Sequence, residues 1–178
     1  TLSISNIGNF TDGYAVMKYK NIKSTGGQGS DASGQFADID FPLFRLADAY
    51  LMYAELAANN VASASKSVAR GYVNALRTRA GAAAVANDSD ITPDFILDER
   101  AKEFALEGKR WFDLLRKAKM NGFQNKKELG DLLVNLADAK SQALLRSKVN
   151  DTMMYYLPVP YDELQRNKNL KQNPFYER

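Results

Sequence analysis

The sequence predicts a mainly α-helical protein, built from helix hairpins of the tetratricopeptide type that are joined by long irregular loops. Three observations support this fold class. Apolar residues recur every three or four positions in several stretches, which is the spacing of one helix face. Residues that commonly begin and end helices flank these stretches. Small residues are frequent in the first two stretches, and they allow two helix axes to approach closely.

The composition is compatible with one compact domain, because the chain has 178 residues of which 45% are hydrophobic. We predict a single domain over residues 1–178, with a loop-rich N-terminal segment (1–40), a helical core (41–120) and a helix followed by an extended tail (121–178). A Gly/Ser-rich surface loop is expected at residues 24–35. The abrupt start, without an initiator Met, leads us to expect a missing upstream portion.

Several classes of chemistry are excluded by the residue types. The chain has no cysteine and no histidine, so thiolate nucleophiles, disulfides, Cys/His zinc sites and imidazole bases are ruled out. The net charge of +3 is spread along the chain, so we expect no nucleic-acid partner. We expect no cofactor and no metal, because the one compact group of acidic residues, at 88–90, lacks the glycine turn and distal Glu of a calcium loop.

A first helix hairpin is predicted over residues 40–81. Asp40 and Pro42 open the first helix, and Asn59-Asn60 ends it. The second helix begins near Ser63, and Gly81 supplies its C-cap. The apolar face of the first helix consists of Phe44, Ala47, Tyr50, Leu51, Ala54 and Ala58.

A single long helix is predicted next. Thr92 is its N-cap and Pro93 its first residue, and cations near Lys119 suit its C-terminus. At roughly 1.5 Å per residue it would be a rod of about 37 Å. Asn121-Gly122 ends this helix.

The last third of the chain is predicted to be a helix and an extended tail. Residues 127–147 have apolar positions at helical spacing and predict one amphipathic helix. Pro158 and Pro160 favour extended backbone at the end of a strand. A short helix follows near residues 161–166.

The long helix carries a dense cluster of charged residues that permits two interpretations. Glu99, Glu103 and Glu107 lie four residues apart, so two of them would be candidates for the acid and base of a glycoside hydrolase. The alternative is an ion-pair network, because carboxylates at this spacing repel each other and need compensating cations. The cations available are Arg100, Arg110, Arg77 and Arg79, and Arg116 is spaced to pair with Asp113. We favour the network.

Trp111 is the only tryptophan and is a candidate platform for stacking on a sugar ring. It lies beside Phe112 on an amphipathic helix whose other large residues are expected to face inward. We therefore predict a core position for Trp111.

Taken together, these segments resemble the C-terminal portion of the SusD/RagB family. The matching residues run in order through the chain: Lys18-Tyr19; Arg45-Leu46-Ala47 and Leu51-Met52-Tyr53-Ala54-Glu55; Asn74, Arg77 and Arg79-Ala80-Gly81; Glu99-Arg100, Glu103, Glu107-Gly108-Lys109-Arg110-Trp111-Phe112-Asp113-Leu114 and Arg116; Leu157-Pro158-Val159-Pro160; and residues 169–176. The sequence departs from the family pattern at Asp48, Leu56 and Phe175. It is also much shorter than family members.

The resemblance implies a SusD-like α fold and a protein without enzymatic activity. The implied function is binding of an oligosaccharide or polysaccharide at the cell surface, on the outer membrane, for delivery to a SusC-like TonB-dependent transporter. Membrane attachment would use a lipid anchor that this chain does not contain. No glycan-binding residue is assigned. The alternative is a helical-repeat scaffold that binds proteins and no glycan.

The motif residues on the long helix are interpreted as structural. They are Glu99, Arg100, Glu103, Glu107, Arg110, Trp111, Asp113 and Arg116.

Overall fold

A computed structural model describes residues 18–19, 21–23, 25–31, 33, 36–120 and 122–177. Within these ranges the chain is mainly helical, which confirms the predicted fold class. The helices are α1 (Leu46–Ala58), α2 (Lys66–Arg79), α3 (Pro93–Glu103), α4 (Arg110–Met120), α5 (Lys127–Leu136), α6 (Ala139–Lys148) and α7 (Tyr161–Arg166), with short 3₁₀ helices at Asp88–Asp90, Thr152–Tyr155 and Pro174–Tyr176. None of these helices is long and apolar enough to cross a bilayer.

The chain divides into two compact units, Thr1–Ala49 and Tyr50–Arg178. In the first unit, the described residues before α1 form turns and loops with one isolated bridge between Ile22 and Gln28. The predicted Gly/Ser-rich loop falls here in part. Residues 1–17 of the loop-rich segment predicted over residues 1–40 lie outside the described residues.

The predicted hairpin of α1 and α2 is present in the second unit. The ring of Tyr50 stacks on that of Tyr72 with 4.4 Å between centroids, and Tyr53 meets Tyr72 edge-on at 5.3 Å. The backbone N–H of Ser65 donates to the hydroxyl of Tyr53 over 3.0 Å. Tyr53, just past the midpoint of α1, therefore reaches Ser65 at the N-cap of α2, as expected for an antiparallel pair.

The predicted ends of both hairpin helices are confirmed. Asn60 has a positive φ of 58°, and the N–H of Val61 reaches back to the carbonyl of Leu56 at 3.1 Å. Gly81 has a φ of 68° just after α2, and the N–H of Ala82 bonds the carbonyl of Arg77 at 2.8 Å. Both helices therefore end in a C-cap, in which a residue in the left-handed conformation follows the last turn.

The predicted start of α1 near Pro42 is wrong, because the helix begins at Leu46. Leu43 and Phe44 are 69% and 87% exposed, so Phe44 does not belong to the apolar face. Burial begins at Ala47. Short helical segments depend on burial of apolar side chains for their stability, and Leu43 and Phe44 remain largely exposed.

The predicted long helix is also wrong, because a turn at residues 104–109 divides it into α3 and α4. Its start is as predicted, since the Thr92 hydroxyl accepts from the N–H of Phe95 at 3.2 Å. Leu106 and Gly108 have φ values of 66° and 71°, which no α-helix accommodates. Gly108 adopts this conformation without a Cβ penalty. Glu99, Glu103 and Glu107 therefore do not form a stripe on one continuous helix.

The stretch predicted as one helix over residues 127–147 forms two, α5 and α6. Asp138 makes the break, since its carboxylate accepts from the N–H groups of Lys140 at 2.9 Å and Ser141 at 3.1 Å. These bonds favour a new helix start over continuation. The bonds from Ser141 and Lys140 also hold the pKa of Asp138 below its ordinary value.

The tail contains the predicted short helix as α7 but no strand within the described residues. Around Pro158 and Pro160 the backbone is irregular. Val159 pairs with a side chain instead of a strand, donating to Gln172 Oε1 at 2.8 Å and accepting from its Nε2 at 3.0 Å. A side-chain amide thus takes the place of a sheet partner.

A core cluster lies between α3, α4, α5 and the 3₁₀ turn at Thr152–Tyr155. Tyr155 is fully buried, and its hydroxyl donates to the carbonyl of Val149 at 2.6 Å. Burial raises the pKa of this phenol. The buried members of the cluster are Leu97, Leu114, Ala118, Leu129, Met154 and Tyr155.

Candidate functional site

Ion pairs between charged side chains join four helices, and we call these pairs together the carboxylate–arginine network. It links α1, α2, α3 and α4 and includes most of the motif residues. Its members are Glu55, Arg77, Arg79, Glu99, Arg100, Glu103, Asp113 and Arg116.

The most deeply buried contact joins α3 to α4. Nε and Nη2 of Arg100 each lie 2.9 Å from Oδ1 of Asp113, and the two side chains are only 4% and 2% exposed. On one continuous helix these residues, 13 positions apart, would be separated by about 20 Å. The turn at residues 104–109 therefore makes this pair possible.

Arg116 extends the network from α4 to α1. Its Nε and Nη2 each donate to a carboxylate oxygen of Glu55 at 2.7 Å, which is a bidentate geometry. Nη2 also lies 3.0 Å from Oδ1 of Asp113, as the local spacing predicted. The hydrogen bond to Glu55, and secondarily that to Asp113, raises the pKa of Arg116 above its ordinary value.

Two further pairs join α2 to α3. Nη1 of Arg77 contacts Oε1 of Glu99 at 2.8 Å, and Lys102 contacts the same oxygen at 2.9 Å. Nη2 of Arg79 donates to both oxygens of Glu103 at 2.5 and 2.6 Å. The arginines of the preceding helix thus compensate the carboxylates of α3.

The remaining motif residues surround the turn between α3 and α4. Glu107 is 5% exposed. Arg110 donates to the carbonyl of Leu97 at 3.2 Å, which ties the start of α4 to α3. Trp111 is half-buried against the core cluster. Phe112 is 63% exposed, although the other large residues of this helix were expected to face inward.

This arrangement holds helices together. Glu99 and Asp113 are buried and paired with arginines, and Glu103 is held bidentately, so these carboxylates are committed to interhelical contacts. In the described part of the chain, no group of acidic residues is arranged to hold a metal ion.

Three contacts of this region could not be predicted from the sequence pattern. Glu55 is 61 positions from Arg116, so no local spacing connects them. Lys117 contacts Asp94 at 2.8 Å and Glu128 at 2.6 Å and so joins α3, α4 and α5. Burial by itself lowers the pKa of Lys117, but hydrogen bonds to these two carboxylates raise it above its ordinary value.

Lys117 lies in an open groove of about 500 Å³ between α3, α4 and α5. Its floor is apolar and its walls are mostly charged. The lining residues are Asp94, Leu97, Asp98, Arg110, Leu114, Lys117, Glu128, Asp131, Leu132 and Asn135.

Comparison with known proteins places the whole chain in one family. The sequence model of the SusD family matches residues 3–176. The starch-binding protein SusD of Bacteroides thetaiotaomicron is 34% identical over 171 residues, which cover 96% of this chain and 27% of that protein. A SusD-like protein of Bacteroides ovatus is 35% identical over 94 residues, covering 51% of this chain and 17% of that protein.

The chain therefore spans about a quarter or less of the length of these curated relatives. No solved structure matches it significantly. The family model covers nearly every residue, including the motif residues of the carboxylate–arginine network. This chain belongs to the SusD family.

Proposed function

We propose that this chain is the C-terminal part of a non-catalytic protein that binds oligosaccharide or polysaccharide at the cell surface. The observation that carries the proposal is the match of the SusD family over residues 3–176. SusD-family proteins are binding proteins without catalytic activity. The curated relative that covers most of this chain is named a starch-binding protein, which supports a glycan as the ligand class.

The role proposed for the motif residues is structural. Their carboxylates and arginines pair across helices, and the most buried pair, Arg100 with Asp113, has little contact with solvent. A hydrolase would need a carboxylate pair open to substrate. Glu99, Arg100, Glu103, Glu107, Arg110, Trp111, Asp113 and Arg116 are accordingly proposed as scaffold that positions loops elsewhere in the protein.

Most glycan contacts are proposed to lie outside this chain. Sugar rings stack on exposed aromatic faces. Trp111 packs on the core cluster and Phe104 is 3% exposed, so neither offers an open face of this kind, whereas Phe44 and Phe112 are 87% and 63% exposed. Because the family resemblance implies that most sugar contacts lie on loops upstream of these motifs, we expect the chain alone to bind glycans far more weakly than the full-length protein.

Titration calorimetry tests this proposal. The chain and the full product of its reading frame are titrated with the same series of starch-derived and other oligosaccharides. We expect measurable affinity for the full-length protein and a much weaker affinity for the chain. Equal affinities would place the binding site within these 178 residues and overturn the scaffold assignment.

A hydrolysis assay tests the non-catalytic part separately. Both proteins are incubated with each polysaccharide, and the release of reducing sugar is followed. No release is expected. Release that disappears in a folded Glu107→Gln variant would show that the protein is an enzyme.

The proposed partner is a SusC-like TonB-dependent transporter, and the proposed location is the outer face of the outer membrane, through a lipid anchor. Affinity purification of the tagged full-length protein from detergent-solubilised outer membranes is expected to retain the transporter. Protease treatment of intact cells is expected to degrade the tagged protein. Recovery of the tagged protein in the periplasmic fraction would contradict the proposed location.

A further inference from the structure

A pocket of about 290 Å³ lies between α5 and the C-terminal end of α6. Its lining includes Lys126, Asp131, Val134, Arg146 and Tyr155, and we call it the α5–α6 pocket. Its inner side is buried, since Val134 is 2% and Tyr155 0% exposed. A cavity of about 150 Å³ is enough to hold one benzene molecule. The α5–α6 pocket therefore has room for one six-membered ring with its substituents.

The α5–α6 pocket carries an excess of positive charge. Its lining contains the cations Lys126, Lys127 and Arg146 and the single carboxylate of Asp131. That carboxylate is paired, because Nζ of Lys127 lies 2.5 Å from Oδ2 of Asp131. Within the part of the chain that the structure describes, neither Lys126 nor Arg146 forms an ion pair with a carboxylate. Two positive charges therefore remain uncompensated at the pocket.

These two cations differ from the cations that join the helices. Arg77, Arg100 and Arg116 contact carboxylates at 2.8, 2.9 and 2.7 Å, and Lys117 contacts two. Lys126 is half-buried and has no such contact. Partial removal of water from an ammonium group is unfavourable unless a counter-charge replaces the water. An anion bound in the pocket would provide that counter-charge.

The groove between α3, α4 and α5 has the opposite charge. Its lining contains four carboxylates and two cations, and Lys117 is paired there with both Asp94 and Glu128. A concave surface lined mainly by charges of one sign concentrates ions of the other sign. An anion is therefore attracted to the α5–α6 pocket and repelled from the groove.

We propose that the α5–α6 pocket binds a small organic carboxylate. The planar guanidinium group of Arg146 suits both oxygens of a carboxylate, and the ammonium group of Lys126 adds a second positive charge. The buried apolar side chain of Val134 favours an organic body over a hydrated inorganic ion. Two sources share this chemistry, an acidic sugar and a carboxylic acid that is not a sugar. Neutral oligosaccharides carry no carboxylate, so this proposal does not rest on the proposed glycan function.

Ligand-observed NMR titration of the full product of the reading frame tests the proposal. The probes are sodium D-glucuronate and sodium benzoate, each compared with its uncharged counterpart, D-glucose or benzyl alcohol, at equal ionic strength. We expect at least one carboxylate to bind, and its counterpart to bind about tenfold more weakly or less, because a hydrogen bond to a charged group contributes about that factor. Tighter binding of glucuronate identifies an acidic sugar as the ligand class, and tighter binding of benzoate identifies a non-sugar acid.

Two variants that each remove one charge, and one matched control, assign the binding to this pocket. Arg146→Gln and Lys126→Gln are each expected to weaken carboxylate binding about tenfold. Lys140→Gln removes the same charge from an exposed lysine of α6 that does not line the pocket, and it should leave the affinity unchanged. Circular dichroism and thermal scans check that each variant is folded.

Three results would overturn the proposal. The first is that neither carboxylate binds, or that the uncharged counterparts bind equally well. The second is a carboxylate affinity that Arg146→Gln or Lys126→Gln leaves unchanged. The third is inorganic sulfate binding as tightly as either carboxylate, which would make the pocket a site for an adventitious ion only. Calorimetry with neutral oligosaccharides measures glycan binding separately, so failure of one proposal is distinguishable from failure of the other.

Discussion

Replacing Arg100 tests whether the carboxylate–arginine network stabilises the fold. In an Arg100→Met variant, Asp113 remains 2% exposed and loses two 2.9 Å contacts. Removing one member of a buried ion pair costs about 3–5 kcal/mol. Arg116 still reaches Asp113 at 3.0 Å, so we expect the lower end, about 3 kcal/mol. For a chain of this size that lowers Tm by about 6–12 °C.

Urea unfolding followed by circular dichroism measures this free energy. Arg79→Met is the comparison variant, because Arg79 also makes two contacts with a carboxylate, that of Glu103, but the Arg79 side chain is 57% exposed. Ion pairs with an exposed member are screened by solvent, so we expect a smaller loss of stability for Arg79→Met than for Arg100→Met. The double variant Arg100→Met with Asp113→Leu removes both buried charges and is expected to be more stable than Arg100→Met alone. Equal losses for Arg100→Met and Arg79→Met would refute the argument.

Three further predictions concern other parts of the chain. Glu107→Ala is expected to lower Tm, because the Glu107 side chain is buried and only 5% of the residue is exposed. Arg110→Ala should lower Tm less, since this variant loses a 3.2 Å hydrogen bond to the Leu97 carbonyl. Thermal scans in which Arg110→Ala has the lower Tm would contradict this ranking. Folding lowers the pKa of Asp138, so its contribution to the free energy of unfolding is present above the unfolded pKa and is lost as pH falls through the folded pKa. Wild type should therefore lose stability below about pH 4 more steeply than Asp138→Asn does. Acid titrations followed by circular dichroism would measure this difference. Calcium and chelators should leave Tm unchanged, since Asp88, in the compact acidic group at residues 88–90, is paired with Arg70 at 2.8 Å. A rise in Tm of many degrees on adding calcium would reveal a metal site.

Features that depend on local sequence were predictable. The N-cap at Thr92 followed by Pro93 and the glycine after α2 each act within a few residues, and each occupies its predicted place. The same holds for the pairing of Arg116 with Asp113 at a spacing of three. Short-range hydrogen bonds fix these features, so a single sequence contains the necessary information.

The helix breaks could not be predicted from periodicity, because apolar and charged residues keep helical spacing across both of them. At Asp138 a local signal exists, since Asp is a strong N-cap residue and Ser141 follows three positions later. At residues 104–109 the signal is weaker. Gly108 permits a left-handed conformation, but Leu106 adopts one as well, which is uncommon for a residue with a Cβ and has no signal in the sequence.

The turn at residues 104–109 and the buried ion pair depend on each other. A continuous helix would place Arg100 and Asp113 about 20 Å apart and leave both charges without this partner. With the turn, α4 folds back along α3, Arg110 reaches the Leu97 carbonyl, and Arg116 comes within reach of Glu55 on α1. The motif residues by which the family resemblance was noticed are largely those that make these contacts. Their contacts join the helices, which supports the proposed scaffold role although the predicted continuous helix is wrong.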